Sequence, residues 1–269
     1  MNHPMKKQVF KFCVILLFIF FTHPGKAFAN GLSTKVSDTI RILTIGNSFA
    51  DNACKYLKQI TASVEGCNII IGKANIGGCY LEKHADLMRQ SEQDPTFKPH
   101  NGKTLKEWLL TDDWDIVTIQ QVSHLSFKAE SYQPYADEIR DYVNQYVPRA
   151  KIYIHETWAY APDCPRLEGF GITSDQMYHG LKKNYEVLSE RYSSPILPSG
   201  DAFNRSFKKK EKIDLWSSND RFHANENGCY LAACVWFKEL FGKSPKKIRY
   251  RPEEMSKKTA RYLRRVASK

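Results

Sequence analysis

The stretch Arg41-Ile-Leu-Thr-Ile-Gly-Asn-Ser-Phe49 predicts a buried strand that ends in a sharp turn and passes directly into a helix. A short apolar run followed by Gly, small polar residues and a helical segment is typical of a strand–turn–helix unit. Gly46 permits the bend because it has no Cβ. The bend would bring the Ser48 hydroxyl to a helix N-terminus, where unpaired N–H groups and a partial positive charge favour an anion.

Ser48 is therefore a candidate nucleophile. After attack on a carbonyl, its own backbone N–H could stabilise the oxyanion that forms. The alternative is a serine that only caps a helix after a strand, which is common in α/β proteins. The choice depends on what the rest of the chain brings to the same end of the sheet.

Four further segments predict strands, and amphipathic helices separate them along the chain. Residues 67–74, 116–119, 151–156 and 196–197 are short apolar runs. Continuous apolarity is typical of strands that are covered on both faces. Strands that alternate with helices favour a parallel sheet between two helical layers. We therefore predict an α/β fold with about five parallel strands and helices on both faces.

In such folds the functional site lies beyond the carboxyl ends of the strands. Polar and small residues follow several of the predicted strands in this chain. They are Ser48, Gly78, Gln120, Gln121 and the residues from His155 to Tyr160.

The first 29 residues predict a signal peptide. Three lysines precede an apolar run at 12–21 that is too short to span a bilayer comfortably, and a small-x-small cleavage site ends at Ala29. We expect residues 30–269 to form a single exported domain. No later run is long and apolar enough for a transmembrane helix, so we expect no integral membrane segment after signal removal.

The chain carries a net charge of +11, which falls to +7 without the four lysines of the predicted signal. Much of the excess lies near the C-terminus, between Lys246 and Arg265. A solvated helix face explains such a run, and attraction to an acidic polysaccharide or an anionic membrane surface is the alternative. The chain has no zinc-finger spacing and no aromatic-interleaved basic sheet, so we expect no nucleic-acid partner.

Six cysteines remain after Cys13 of the predicted signal. An even number in an exported protein permits disulfides, but buried free thiols are equally compatible with the spacing. His84, His100 and His179 are interpreted as structural or surface residues because none has a metal-ligand partner at a typical spacing. We therefore expect no metal and no cofactor.

The segment Asp220-Arg-Phe-His223 could complete a catalytic triad with Ser48. A serine nucleophile needs a base, and the base needs an acid that orients it. Asp220 would accept the Nδ1–H of His223, whose Nε2 would take the proton of Ser48. The alternative is that Asp220 caps the following helix and His223 lies on the surface.

Three blocks in order resemble the SGNH (GDSL-like) hydrolases: Gly46-Asn-Ser48, Asn75-Ile-Gly-Gly78 and Asp220-Arg-Phe-His223. The stretches 114–123, 157–160 and 223–230 look more particularly like a branch found in gut Bacteroidetes, a domain of unknown function similar to these hydrolases. The resemblance covers essentially residues 30–269. It implies a three-layer, flavodoxin-like fold and a location in the periplasm or outside a Gram-negative cell.

The chain departs from the family pattern after the third strand, where the family has Gly-x-Asn. In the family that asparagine donates a hydrogen bond to the oxyanion, beside backbone N–H groups that correspond here to Ser48 and Gly78. Gln121 is the favoured replacement because a glutamine amide can make the same bond. Gln120 is the second candidate and His124 the third.

The resemblance implies an exported serine esterase that removes ester groups, most plausibly O-acetyl groups, from a small-molecule or polysaccharide substrate. A non-catalytic glycan-binding protein on the same fold is the alternative, and a lipase or acyl-thioesterase is another. Aromatic and polar side chains at strand ends often bind sugars but more often pack in cores. The candidates for the substrate pocket are His124, His155, Glu156, Trp158 and Tyr160.

Overall fold

The computed structural model describes Met1, residues 38–209 and residues 213–269. Residues 2–29 of the predicted signal peptide lie outside the described residues, so the cleavage site stays a prediction. Within the described part of the chain, no helix is both long enough and apolar enough to cross a bilayer.

A five-stranded parallel sheet forms the centre of the protein. The strand order is β2-β1-β3-β4-β5, which is the doubly wound, flavodoxin-like order. The predicted fold class is therefore confirmed. The strands are β1 (Asp38–Ile45), β2 (Cys67–Lys73), β3 (Ile116–Ile119), β4 (Lys151–Glu156) and β5 (Ile196–Pro198).

Nine of the ten α-helices of the described residues pack in two groups, and the tenth, α6, lies in the connection after β4. One group packs around α9 and comprises α1, α2, α8, α9 and α10. The other packs around α5 or against β4 and comprises α3, α4, α5 and α7. Helix α9 is buried on all sides from Gly228 to Phe237, as expected for an apolar helix between neighbours. The helices are α1 (Ser48–Cys54), α2 (Leu57–Ala62), α3 (Leu81–Gln93), α4 (Leu105–Leu109), α5 (Tyr135–Tyr146), α6 (Arg166–Phe170), α7 (Ser174–Tyr192), α8 (Ser199–Phe207), α9 (Glu226–Phe241) and α10 (Lys257–Ala267).

Two helices lie where the sequence predicts none. Helix α6 lies in the stretch 161–173, where proline and glycine favour a loop, and Pro165 and Gly171 instead mark its two ends. Helix α8 contains Gly200, which weakens helix propensity. That glycine lets α8 approach the sheet closely, since a Cβ there would lie 2.2 Å from the carbonyl oxygen of Thr157. Tertiary packing, not local propensity, places α8.

Single capping residues set the ends of the last two helices. Helix α10 begins at Lys257, because the Ser256 hydroxyl accepts the N–H of Thr259 and caps it. Helix α9 ends at Phe241, and Gly242 is its C-cap, with a φ of +60° that glycine adopts without strain.

The six cysteines of the described residues are all buried free thiols, so none of them forms a disulfide in this structure. They fill small spaces in the core, and burial raises the pKa of several of them; Cys54 and Cys234 reach about 12. A thiol with so high a pKa is a poor nucleophile at neutral pH. Buried thiols, which were the alternative to disulfides, are what the structure contains.

Candidate active site

The candidate nucleophile lies where β1 passes into α1. Ser48 is the first residue of α1, and Asn47 is its N-cap, whose Oδ1 accepts the N–H of Phe49 at 3.1 Å. The backbone carbonyl of Asn47 accepts the next two helical N–H groups. Within the described residues, the N–H of Ser48 makes no backbone hydrogen bond and remains available as a donor.

The chain brings Ser48, His223 and Asp220 into one hydrogen-bonded series. The Ser48 Oγ lies 2.8 Å from Nε2 of His223, and Nδ1 of His223 lies 2.6 Å from Oδ2 of Asp220. About a third of the His223 side chain is exposed, so a ligand can reach it from solvent. This is the geometry that a serine nucleophile, a general base and an orienting carboxylate require.

The turn that carries Asp220 and His223 is held on both sides. Oδ1 of Asp220 accepts the backbone N–H groups of Phe222 and His223, both at 3.0 Å. Arg221 adopts a φ of +60°, and its guanidinium binds the carboxylates of Asp163 and Asp214, which holds this strained residue in place.

Helix α1 is joined directly to the same turn. Oδ1 of Asn52 accepts the N–H of Ala224 at 3.1 Å, and Asn52 lies one helical turn after Ser48. This hydrogen bond therefore fixes the helix of the nucleophile relative to the turn that carries the base. Burial acts to raise the pKa of Asp220, but the hydrogen bonds from the His223 ring and from the two backbone N–H groups outweigh it and lower the pKa. Asp220 is thus ionised at neutral pH and can stabilise an imidazolium.

Two backbone N–H groups can form an oxyanion hole. One is that of Ser48, and the other is that of Gly78, which likewise makes no backbone hydrogen bond within the described residues. Gly78 has a φ of +65°, a conformation that a side chain would strain. The neighbouring N–H of Ile76 donates to the carbonyl of Gly46 at 3.0 Å and thereby fixes this loop against the nucleophile turn.

Both glutamines after β3 make hydrogen bonds inside the protein, so their predicted role as a third oxyanion donor is not supported. The amide nitrogen of Gln120 donates to Oδ1 of Asn47 at 2.8 Å. The amide nitrogen of Gln121 donates to the carbonyl of Ser131 at 2.7 Å, and its oxygen accepts the N–H groups of Leu81 and Val122. Both side chains are buried.

Gln120 instead braces the nucleophile turn. Its side chain packs against Gly46, where an added Cβ would lie 2.8 Å from Oε1. That oxygen lies 2.7 Å from Nδ1 of His155, which must donate, because the amide nitrogen already binds Asn47. The chain of contacts from His155 through Gln120 to Asn47 therefore reaches the cap of the helix that begins with Ser48. Gly46 is required here for space as well as for the bend.

His84 holds the same turn from the other side. Its Nε2–H donates to the carbonyl of Gly46 at 2.9 Å, and its Nδ1 lies 3.3 Å from Nε2 of His100. Burial lowers the pKa of His84 to about 4 and that of His100 to about 3, so both rings are neutral. The sequence predicts structural or surface roles for both histidines but does not reveal the contact of His84 with Gly46. A polar residue in the apolar stripe of α3, beside Leu81 and Ala85, was the available signal.

Four of the five predicted pocket residues lie in the core, so their predicted contact with substrate is not supported. His155, Trp158 and Tyr160 have no exposed surface, and Glu156 is 1% exposed. The Trp158 ring stacks between Phe49 and Phe203 at centroid distances of 4.5 Å, and its indole N–H donates to a backbone carbonyl. These residues support the site from beneath rather than line it.

The fifth residue, His124, is partly exposed. Burial lowers its pKa, and the nearby cations Arg166 and Lys128 act in the same direction. Ser123, the residue before it, binds the Tyr160 hydroxyl at 3.0 Å. His124 therefore remains a candidate for contact with a ligand.

An apolar cavity of about 660 Å³ lies between α8 and the loop after β4. Its lining includes Phe203 and Trp216 but neither Ser48 nor His223. The stacked ring of Trp158 separates Phe203 from Phe49, the residue after the nucleophile. The cavity is therefore not the place where a group attached to Ser48 would lie.

The strand order defines a doubly wound, flavodoxin-like α/β protein, and its strand-end turns carry a Ser-His-Asp hydrogen-bonded series. The chain belongs to the DUF4886 family, a domain of unknown function whose model matches residues 41–269. A crystal structure of a DUF4886 family protein from Bacteroides uniformis superposes with a TM-score of 0.78 at 27% sequence identity, over 86% of this chain and 94% of that one. The resemblance stated from the sequence is thereby confirmed. No curated protein matches the sequence.

More distant structures share the fold. A proposed SGNH hydrolase from Slackia heliotrinireducens superposes with a TM-score of 0.56 at 19% identity, over 76% of this chain and 100% of that one. An acetyl xylan esterase superposes with a TM-score of 0.51 at 13% identity, over 75% of this chain and 100% of that one. At these identities the likeness concerns the fold.

Replacing Gln120 by Met tests its role as a brace. Met has a similar volume but leaves the Nδ1–H of His155 unpaired, which should cost about 1–3 kcal/mol of stability. Because the nucleophile turn loosens, labelling of Ser48 by a fluorophosphonate should slow by about tenfold or more. The measurements are thermal unfolding and the labelling rate well below the unfolding midpoint. The exposed Gln90→Met is the control, and an unchanged labelling rate in Gln120→Met would contradict the role.

Glu156→Gln tests the burial of that carboxyl. Burial first, and then the Asp201 carboxylate, raises the pKa of Glu156 from 4.5 to about 8. The folded state thus holds this proton more tightly than the unfolded chain. The resulting stability is fully present below pH 4.5 and is lost as the pH rises through about 8. The variant should show a smaller fall in melting temperature between pH 5 and pH 9, while the exposed Glu168→Gln should follow the parent. If the melting temperature of Glu156→Gln falls with pH as steeply as that of the parent, the pKa of the Glu156 carboxyl is not raised in the folded protein.

Proposed function

We propose that the protein is an exported serine esterase that hydrolyses ester bonds, most plausibly O-acetyl groups, on carbohydrate. The observation that carries the proposal is the series from Ser48 Oγ through the His223 imidazole to the Asp220 carboxylate, with spacings of 2.8 and 2.6 Å. A serine that only capped α1 would not need a histidine at hydrogen-bond distance on its exposed side. Asn47, not Ser48, is the N-cap.

The reaction follows from these contacts. Nε2 of His223 takes the proton from Ser48 while Oγ attacks the ester carbonyl, and the negative charge on the carbonyl oxygen is stabilised by the N–H groups of Ser48 and Gly78. The tetrahedral intermediate then expels the alcohol, which receives the proton from His223. A water molecule repeats the sequence on the acyl-serine and releases the acid. Asp220 stays ionised and stabilises the imidazolium in both halves.

Two features favour a small acyl group on a large alcohol. His223 is partly exposed, so an ester on a polymer can reach Ser48 at the surface. Neither Ser48 nor His223 lines the apolar cavity of about 660 Å³. A long acyl chain attached to Ser48 would therefore not lie in that cavity. The acetyl xylan esterase with the same fold supports a carbohydrate substrate by analogy. The predicted signal peptide supports export.

A non-catalytic glycan-binding protein is the second candidate. The observation in its favour is that both glutamines after β3 are used as internal ties, which leaves two backbone donors for the oxyanion. Loss of one donor typically raises the barrier by about 2.7–4 kcal/mol. Hydrolysis of 4-nitrophenyl acetate by the purified protein separates the two candidates, and release of acetate from a panel of acetylated glycans then identifies the sugar.

Ser48→Ala and His223→Ala test the mechanism as a pair. Each should reduce kcat by about 10⁴-fold or more, and the double variant should be little worse than either single one, because the two residues act as one unit. Circular dichroism should match the parent in all three. The exposed His179→Ala is the control and should keep full activity. If the two losses multiply, the residues do not share a proton transfer, and the base must be sought elsewhere.

Asp220→Ala should reduce the rate as well, but less than His223→Ala does. The carboxylate orients the ring and holds two backbone N–H groups, whereas the imidazole itself transfers the proton. The measurement is kcat/KM for 4-nitrophenyl acetate, with melting temperature as the check on folding. A fully active Asp220→Ala would remove the carboxylate from the mechanism.

A further inference from the structure

Most of the net positive charge of the protein comes from one segment. Residues 243–269 contain eleven Lys and Arg and two Glu, which is a net charge of +9 out of +11 for the whole chain. The segment comprises the 3₁₀ turn Pro245–Lys247, an extended stretch and helix α10, and it packs against α9 and α8. The rest of the chain is close to neutral, so the excess charge belongs to this segment and not to the protein as a whole.

Within this segment, six basic side chains line one concave site of about 350 Å³. The volume lies within the range of about 300–1,000 Å³ that is typical of ligand pockets. No acidic residue lines the site, and we call it the basic pocket. Its lining residues are Lys246, Arg249, Arg251, Lys257, Arg261 and Arg264.

Two of the arginines are held rigidly by the protein. The Arg251 guanidinium donates to the carbonyls of Met255 and Glu253, at 2.6 and 3.0 Å. The Arg264 guanidinium donates to the Tyr230 hydroxyl at 2.7 Å and to the carbonyl of Tyr250 at 3.2 Å. Neutral acceptors fix the positions of these two cations but leave their charge uncompensated.

The other four cations have no carboxylate partner within the described residues. They are exposed, and like charges that converge on one concavity repel each other more strongly than the same charges spread over a convex surface. Lys257 also lies in the first turn of α10, where the partial positive charge of a helix N-terminus disfavours a cation. The arrangement costs stability unless an anion occupies the site. The four are Lys246, Arg249, Lys257 and Arg261.

We propose that the basic pocket binds the carboxylate or sulfate groups of an acidic polysaccharide. Arginine forks match planar and tetrahedral oxyanions with paired hydrogen bonds, and lysines add charge. A membrane surface is a weaker match, because none of the exposed large apolar side chains of the described residues lies in 243–269. Such surfaces usually place apolar residues into the lipid beside the basic ones.

The basic pocket also lies close to the helix that follows the triad. Tyr56 contacts the rings of Tyr230 and Tyr250, the two residues that hold Arg264. Lys55, the residue before Tyr56, pairs with Glu226, the first residue of α9 and the third after His223. A single aromatic cluster thus separates the pocket from the start of α9.

Binding is tested on the whole chain with oligosaccharides that carry no ester, so that the result does not depend on turnover. The probes are oligogalacturonate for carboxylate and heparin oligosaccharide for sulfate, with neutral xylo-oligosaccharide as the reference, measured by titration calorimetry at two salt concentrations. The parent should bind at least one acidic probe, more weakly at higher salt. It should not bind the neutral one.

Matched double variants separate the pocket from general positive charge. Arg249→Gln with Arg261→Gln removes two lining residues, whereas Lys247→Gln with Lys258→Gln removes the same charge from the same segment outside the lining. The first should weaken binding by about tenfold or more, because it removes charge-assisted hydrogen bonds. The second should change binding by less than about twofold, since exposed charges outside the site contribute little. Melting temperature checks the fold of both.

Three results would overturn the proposal. Equal losses in the two double variants would show diffuse attraction only. Binding to phosphatidylglycerol vesicles but to neither acidic oligosaccharide would assign the surface to a membrane. Binding to no probe would leave the basic pocket without a ligand of this class. Because the measurement needs no catalysis, an inactive but sugar-binding protein would disprove the esterase and not the pocket.

Discussion

The packing of Gln120 against Gly46 is the contact on which the rest of the site depends. A methyl group at Gly46 would lie 2.8 Å from Oε1 of the glutamine, so a larger residue at that position would displace the Gln120 side chain from the nucleophile turn. The same glutamine binds the N-cap of α1, and His84 binds the carbonyl of Gly46 from the opposite side. The turn is thus held at its cap and at its bend. The position of Ser48 relative to His223 follows, because Asn52 of the same helix binds the histidine turn.

The buried side chains that hold this turn by hydrogen bonds are uncharged, so their burial costs little free energy. His155 and His84 are fully buried, and burial lowers the pKa of His155 to about 3. A neutral imidazole that donates one hydrogen bond costs far less to bury than a charged one. The glutamines after β3 likewise make neutral hydrogen bonds inside the protein. In the proposed mechanism, the backbone N–H groups of Ser48 and Gly78 stabilise the oxyanion.

Charge is compensated at the triad but not at the basic pocket. The triad contains a single carboxylate, Asp220, compensated by the imidazole and two N–H groups. Beyond the rings of Tyr56, Tyr230 and Tyr250, α10 and the residues before it present the basic pocket without compensation. A reaction centre gains from fixed, paired charges that need no rearrangement. A binding surface for a polyanion gains from charges that remain unpaired until the ligand arrives.

The amino-acid sequence by itself determined the sheet and its parallel strands, because apolar periodicity and strand-end turns are local patterns. It offered Ser48, Asp220 and His223 as triad candidates, chiefly through the resemblance to the SGNH hydrolases, and the structure brings the three together. Only the tertiary structure decided what Gln120, Gln121 and Trp158 do, since a polar or aromatic side chain at a strand end can face either the solvent or the core. That choice depends on partners distant in the chain, such as Asn47 for Gln120 and Ser131 for Gln121. The position of helix α8 likewise depends on the close approach of Gly200 to the backbone of Thr157, which local helix propensity does not predict.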